Sequence, residues 1–535
     1  MTKSLPRKRR RQSVISFEMV RLERAAPEPL HLQLYRQIRD QITSGTFIKG
    51  ASRLPSSRAL AADLAISRLT VNLAFSKLHA EGYLRTKKGS GTFIADPLPE
   101  TFLRVEGRHG ESIAPALNLR LANRVTAIPD PRVGAEFDLG APGVAPGVIF
   151  IPGVSALDEF PIATWEKLRA KVLAQKGSLL LRYASHRGDA ELRKALAVYL
   201  GDFRGARCHP DQIIITAGIQ QAILMTTMAL VNEGEIAWME DPGFHQARRT
   251  FAFAGARVIP KTVDAEGLVI AGEPGQPDPK IVYITPSHQF PLGVTMSLRR
   301  RQALIDFARS TGAFILEDDY DSEFRFDGPP LPCLQGLDSS GRVIYAGTMS
   351  KILFPSLRLG YLVVPEQLLE PMMKIRAVMD QHSPAIDQAT LARFITEGFF
   401  LSHIKRMRKL YAERRTFFTA EFQRLLGDRF ILKDTQAGLH FVAWLRRKED
   451  FAPIRRLRAE IAVGPSSLSF FCIEAELAPA YVFGFSAWTH TQISEGLMKI
   501  ASALKAKDVA HHAPPASLPR RGARPQLSLS SAGRP

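Results

Sequence analysis

The sequence predicts a multidomain protein, with a small basic α+β module at the N-terminus and a larger α/β domain behind it. Three observations carry that reading. The chain has 535 residues, more than one hydrophobic core normally serves. Its formal charge of +19 is uneven, with +12 in residues 1–95, +4 in residues 506–535 and only +3 between them. From about residue 136 to 505, short apolar runs alternate with amphipathic stretches, as strands and helices do around a largely parallel sheet. An apolar share of 45% with 23% charged residues excludes a wholly disordered, collagenous or repeat-only chain. A basic end on a near-neutral body points to a polyanion-binding module attached to something else.

Residues 1–28 are polar, basic and aperiodic and read as a flexible arm. The run Arg7-Lys8-Arg9-Arg10-Arg11 either adds nonspecific phosphate contacts or is solvated charge. It lacks the apolar segment of a secretory signal. Residues 29–95 read as three helices and a hairpin. Tyr35, Ile38 and Ile42 recur at helical spacing, and Gly45 supplies a stop. Pro55-Ser56-Ser57 starts a second helix, with a hydroxyl placed to cap it. Ser67 opens a third, burying Val71, Ala74 and Leu78 and leaving Arg68, Thr70 and Asn72 outward. Tyr83–Arg85 and Thr92–Ala95 then flank a basic, glycine-rich tip containing Lys87, Lys88 and Gly89. Helix, turn, helix and basic wing is a DNA-docking arrangement, and Arg58 and Arg68 lie at helix N-termini that favour phosphate.

Leu54-Pro55-Ser56-Ser57-Arg58, Ser67-Arg68-Leu69-Thr70-Val71 and Gly89-Ser90-Gly91-Thr92-Phe93 resemble the winged helix-turn-helix of GntR-type regulators. The resemblance implies operator contacts from Arg58, Ser67, Arg68, Thr70, Lys88 and Gly89. Leu69 and Asn72 stand where that family varies, so the base sequence recognised is unread.

Residues 96–135, with Pro97, Pro99, Pro115, Pro129 and Pro131, read as a linker. The α/β domain follows over 136–505, with its small subdomain mainly at about 390–505. Strands are expected at Ile213–Thr216, Ile236–Met239, Ile281–Thr285, Phe314–Glu317 and Val343–Ala346. The uncharged stretch Ile213–Val231 breaks at Gly218 into a strand and a buried helix and is no membrane span. Residues 506–535 read as a disordered tail. Cys208, Cys333 and Cys472 lie too far apart for a disulfide framework or a zinc spacing, which fits a reduced, cytoplasmic setting and no metal.

Chemistry concentrates at strand ends. Lys351 follows the strand Val343–Ala346 in Gly347-Thr348-Met349-Ser350-Lys351, and Arg358 lies seven residues on. Glu317-Asp318-Asp319-Tyr320 closes a neighbouring strand. In an α/β sheet such positions face the ligand crevice. Lysine, carboxylate, phenol and arginine together match the needs of pyridoxal phosphate. These are a Schiff-base amine, a partner for the ring nitrogen, a hydrogen bond to the ring oxygen and a phosphate ligand. Gly218-Ile219-Gln220, opening a helix after a strand, reads as the phosphate cradle, and Phe244 is placed to stack on the ring. Each feature alone has an ordinary reading as surface charge, polar loop or turn. Their common placement at strand ends sets them apart.

The segments Glu317–Arg325, Ser350–Tyr361 and Thr285–Gly293 resemble the MocR subfamily of GntR regulators, a winged helix-turn-helix fused to a fold-type I aminotransferase-like domain. That resemblance implies Lys351 as the Schiff-base lysine, Asp318 at the pyridine nitrogen, Tyr320 at the ring oxygen, and Arg358 with Thr348 at the phosphate. It implies that Tyr183 reaches the cofactor of a partner subunit, and hence a homodimer. One departure stands out. Where such aminotransferases carry an arginine for the substrate carboxylate, this chain has Val482 in Ala480-Tyr481-Val482-Phe483-Gly484-Phe485. Arg248 and His288 are the candidates for the effector side, and His288 reads equally as a loop residue. The expected function is a transcriptional regulator that senses an amine, an amino-acid-like metabolite or pyridoxal phosphate itself. The alternative is a working aminotransferase with an accessory DNA-binding module.

Overall fold

The computed structural model describes residues 20–44, 52–87, 90–99, 121–128, 148–272, 275, 277–328, 331–433, 435, 437–452, 454, 457 and 462–512. Lys88, Gly89, Gly45, the Arg7–Arg11 run and the residues after His512 lie outside them. The chain divides into two compact units between Asn118 and Leu119, inside the stretch expected as linker.

The first unit contains α1 (Leu30–Thr43), α2 (Ser57–Asp63), α3 (Arg68–Ala80), β1 (Leu84–Lys87) and β2 (Gly91–Ile94). Two serines start α2 and α3. The Ser56 hydroxyl accepts from the Ala59 amide at 3.1 Å, and the Ser67 hydroxyl accepts from the Thr70 amide at 3.0 Å. Each such cap is worth about 1 kcal/mol. Leu34 and Ile38 of α1, Leu60 of α2, and Val71, Ala74 and Leu78 of α3 form one buried cluster. The wing pairs Leu84 with Ile94 through to Lys87 with Gly91, and so reaches further toward its tip than expected. Residues 52–54 add to it: the Leu54 amide donates to Thr92 and the Ile94 amide to Ser52.

The expected arm over 1–28 needs correction from Val20 onward. Val20 is buried in this unit's core. The Gln33 side chain donates to the carbonyls of Glu23 and Glu28 and accepts from the Glu23 amide. Backbone bonds to glutamines hold this stretch, and such bonds leave no hydrophobic period in the sequence.

The second unit opens with α4 (Asn123–Thr126), α5 (Ile162–Lys176) and α6 (Ala190–Arg204). Then follow β3 (Ile213–Thr216), α7 (Ile219–Leu230), β4 (Ile236–Asp241), α8 (His245–Phe253), β5 (Arg257–Asp264), β6 (Gly267–Leu268) and β7 (Ile281–Ile284). Next come α9 (Leu298–Thr311), β8 (Phe314–Asp319), α10 (Leu334–Leu337), β9 (Val343–Thr348), β10 (Gly360–Val363), α11 (Glu366–Met379), α12 (Ala385–Thr396) and α13 (Phe399–Leu426). The unit closes with β11 (Phe430–Lys433), β12 (His440–Leu445), β13 (Ser466–Ser467), β14 (Ala480–Gly484) and a final helix, His490–His512. One helical turn, α4, packs beside α8 within the proline-bearing stretch, too short to leave a period in the sequence.

Eight strands form the large sheet in the order β3-β10-β9-β8-β7-β4-β5-β6. From β9 to β5 they are parallel, whereas β10 runs antiparallel to both β3 and β9. All five expected strands are present. Three continue to Asp241, Asp319 and Thr348, carrying polar side chains into the sheet edge. Alternate residues serve opposite faces. Ile213, Ile215, Tyr345 and Tyr361 pack with Leu196 and Leu391. Ile214, Ile344, Ala346 and Leu362 pack with Ile223 and Met372. Helices on both faces explain why these strands read as continuous apolar runs.

An antiparallel sheet, β11-β12-β14-β13, packs on the second half of α13 and the final helix around Phe418, Phe422, Phe441 and Phe483. The first turns of α13 (Phe400, Ile404) and all of α12 belong with the large sheet. The small subdomain therefore begins within α13 rather than near residue 390. It also takes in Phe150 and Phe324. The final helix continues to His512, past the expected end at 505, so the stretch 506–512 is helix rather than tail. No helix among the described residues is long and apolar enough to cross a membrane.

Candidate cofactor site and DNA-binding face

The C-terminal ends of β3, β4, β8 and β9 meet the start of β10 at one edge of the large sheet. The pleat of β8 sorts its acidic end. Glu317 accepts from the Leu334 and Gln335 amides, and Asp319 pairs with Arg204 at 2.5 Å and accepts from Tyr345. Asp318, between them, turns the other way. With Tyr320 it lines a cavity of about 490 Å³ shared with Lys351, Thr348, Ser350, Arg358, Ile219, Gln220 and Phe244. Period two thus selects Asp318 and Tyr320 from a run of four polar residues.

Asp318 decides whether pyridoxal phosphate fits. Its Oδ2 accepts from the Tyr283 hydroxyl at 2.5 Å, while its Oδ1 is buried with no hydrogen-bond partner among the described residues. Desolvation pushes its carboxyl up to about 7, against the Tyr283 hydrogen bond and with help from Asp319 and Asp321. A buried carboxylate oxygen without a donor is costly, and a protonated ring nitrogen is the donor it lacks. Lys351 extends into the same space, its Nζ donating to the Gly153 carbonyl at 2.8 Å. Desolvation lowers its pKa; Asp321 and Asp318 oppose that, and Arg358 reinforces it. A lowered lysine pKa favours the neutral amine that attacks an aldehyde.

The part of the cavity that could hold a phosphate is built on close approaches. Gly218 caps α7 at φ +100°, and a Cβ there would lie 3.3 Å from the Arg358 guanidinium. Glycine therefore serves both the left-handed backbone and the approach of the arginine. Arg358 lies two residues before β10, Ile219 and Gln220 form the first turn of α7, and that turn offers amides to an anion. Thr348 is buried and accepts from the Ser350 amide at 3.2 Å. The Ser350 hydroxyl is buried with no partner among the described residues. Bound here, pyridoxal phosphate supplies an aldehyde for a lysine amine and a ring that withdraws electrons. The residues present fit it.

Tyr320 lines the cavity, but its hydroxyl is engaged: it donates to the His288 carbonyl at 3.0 Å and lies 2.9 Å from His288 Nδ1. His288 Nδ1 is also 3.0 Å from Asp321 Oδ2, and its Nε2 is buried without a partner among the described residues. His288 thus stands behind Tyr320 rather than on the cavity wall. Arg248 does not line the cavity either. Tyr183 is 89% exposed, with its ring edge-on to His382 at 6.2 Å, away from this chain's own site. Val482 lies in β14 within a fully apolar cluster with Phe290, Val442, Leu468 and Phe471. Ser350 and Tyr283 were missed in the sequence. Ser350 had a signal in its position next to Lys351, whereas Tyr283 sits in an apolar strand without one.

In the first unit, Arg58, Ser67 and Arg68 are exposed at the N-termini of α2 and α3, and Arg68 donates to the Ser57 hydroxyl at 3.4 Å. Thr70 is half-buried, its hydroxyl 2.8 Å from that of Ser67. Arg53 is a further exposed cation, lying against Gly91 of the wing.

Residues 30–94 match the bacterial regulatory proteins of the gntR family, and residues 154–474 match aminotransferase class I and II. The second unit resembles the α-aminoadipate aminotransferase LysN of Thermus thermophilus, solved with N-(5'-phosphopyridoxyl)-L-leucine, at a TM-score of 0.65 and 24% identity. That likeness covers 73% of this chain and 98% of LysN. Fold and site together define a DNA-binding transcription regulator with a pyridoxal-phosphate-binding, fold-type I domain. The chain is 37% identical over 490 residues to the probable rhizopine catabolism regulatory protein MocR of Rhizobium meliloti, covering 91% of this chain and 96% of that one. It is 32% identical to the regulator TauR of Rhodobacter capsulatus, covering 89% and 96%. It belongs to the MocR subfamily of GntR-type regulators.

Proposed function

We propose that this regulator works as a homodimer in the cytoplasm. Its pyridoxal phosphate, held on Lys351, is the sensor of an amine or amino-acid-like metabolite that alters operator binding. The observation that carries the reading is the unpartnered Asp318 Oδ1 in a cavity that also holds Lys351 and Arg358. The cofactor end is equipped, while Val482 offers no carboxylate anchor. That combination suits recognition of an amine better than sustained turnover of α-amino acids. Asp318 would hold the ring nitrogen, Thr348, Ser350 and Arg358 the phosphate, and Phe244 one ring face. Tyr320 would exchange its bond to His288 for the ring oxygen. The exposed Tyr183 is free to serve the partner subunit's site. In the first unit, Arg58, Arg68 and the wing would contact phosphates, with Ser67 and Thr70 at the groove. Coupling requires that the effector stabilise one arrangement of the dimer over another.

The test is operator binding of the cofactor-loaded protein across a panel of primary amines, beside Lys351→Ala. The reading expects an amine that shifts operator affinity in wild type only. An operator response that is unchanged in Lys351→Ala would defeat it.

A further inference from the structure

Beyond the cofactor site, the second unit holds another cavity, of about 370 Å³, between α6, the start of α13 and the loop after β8. Its lining includes Ser322 and Glu323. The Tyr199 hydroxyl donates to Glu323 Oε1 at 2.6 Å, but Glu323 Oε2 and Ser322 Oγ are buried with no hydrogen-bond partner among the described residues. Desolvation pushes the Glu323 carboxyl up, with the Asp319 charge adding to it and Arg204 opposing. Arg204 does not neutralise Glu323 by contact, because its guanidinium is spent on Asp319 and the Ser287 hydroxyl. Besides Arg204 and Arg325, the lining includes the exposed Lys405 and Arg408. Arg408 donates to the Arg325 carbonyl at 2.8 Å, and neither cation has a carboxylate partner among the described residues. Phe203 and Leu401 add exposed apolar surface to the lining.

A buried carboxylate oxygen and a buried hydroxyl without partners among the described residues call for an ammonium. Two exposed cations without carboxylate partners among the described residues, in the same lining, can receive a carboxylate. The apolar walls fit a short methylene chain, and the volume is that of a small-molecule site. We propose that this cavity is a second ligand site, distinct from the cofactor cavity, for a small zwitterion of the ω-amino-acid class. Its ammonium sits on Glu323 and Ser322 and its carboxylate on Lys405 and Arg408. The site stands independently of amine sensing at Lys351. It is joined to the cofactor cavity through the backbone, since Asp318, Tyr320, Ser322 and Glu323 share one strand end and loop.

The experiment uses the full chain loaded with pyridoxal phosphate and reduced with borohydride, so that amines cannot exchange at Lys351. Unbranched ω-amino acids of increasing length are titrated by calorimetry. The expected result is saturable binding at one site per chain, weakened at least tenfold in Glu323→Gln and in Lys405→Glu and retained in Lys405→Arg. Lys405 is a rim residue, so its variants report on binding even if Glu323→Gln is unstable. No saturable binding across the series would overturn the proposal, as would equal affinity in wild type and both charge variants. An amine-independent operator response with intact binding here would defeat the Lys351 reading alone.

Discussion

The cofactor cavity and the apolar cluster around Val482 differ in kind. In the cavity, Asp318 Oδ1 and Ser350 Oγ are buried without partners among the described residues, and Gly218 leaves room for Arg358. In the neighbouring antiparallel sheet, Val482 is closed into an apolar cluster of β12, β14 and Phe290. The cavity keeps costly polar groups that a bound anion and cation would satisfy. The cluster is finished as hydrophobic core. The difference teaches that unpartnered polar groups are kept at the sheet edge while the side chains beside it are packed without them.

The largest test of that contrast is Val482→Arg. If the region is core, a buried guanidinium lowers stability by about 4 kcal/mol in urea denaturation and brings no affinity for carboxylates. An arginine tolerated at wild-type stability, with new carboxylate binding, would break the comparison. Next is Asp318→Asn, which removes the charged partner of the ring nitrogen. Cofactor affinity should fall about a hundredfold, or ~3 kcal/mol, by equilibrium dialysis. Gly218→Ala forces a side chain into the left-handed region and against Arg358, so cofactor affinity should fall roughly tenfold, for ~1–2 kcal/mol of strain. Ser350→Ala removes one hydroxyl donor and should cost about fivefold, ~1 kcal/mol, with the melting temperature of the cofactor-free protein unchanged or higher.

A pH series sharpens the same point. Burial pushes the carboxyls of Asp318, Glu240 and Glu317 up to about 7, above their ordinary values of 3.8 and 4.5. Between those limits the folded state holds protons that the unfolded chain has released, so stability falls as pH rises. The melting temperature of the cofactor-free protein should therefore decline from about pH 5 to 7. Loading the cofactor should flatten the decline, because a ring nitrogen beside Asp318 favours its ionised form. Equal slopes with and without cofactor would remove Asp318 from the site.

Much of this was legible in the sequence because it rests on local rules. Ser56 and Ser67 announce their helices as caps, and Val71, Ala74 and Leu78 keep the helical period. Lys351, Asp318 and Arg358 stand at strand ends, where the chain must turn toward the crevice. What was illegible depends on contacts between distant residues. Tyr283 reaches Asp318 across two neighbouring strands, and nothing in an apolar strand marks that. The engagement of Tyr320 by His288 and the docking of residues 20–28 on Gln33 are likewise settled only by folding. The four-residue strand β10 was hidden because its direction follows from β3 and β9, not from its own residues.

The most direct test of the central claim is the absorbance spectrum of the purified protein with pyridoxal phosphate, wild type beside Lys351→Ala, followed by borohydride reduction and peptide mapping. The account predicts a visible band in wild type, fixed by reduction as a phosphopyridoxyl group on Lys351 and absent from the variant. The absence of any band or adduct in wild type, or an adduct mapped to another lysine, would contradict it.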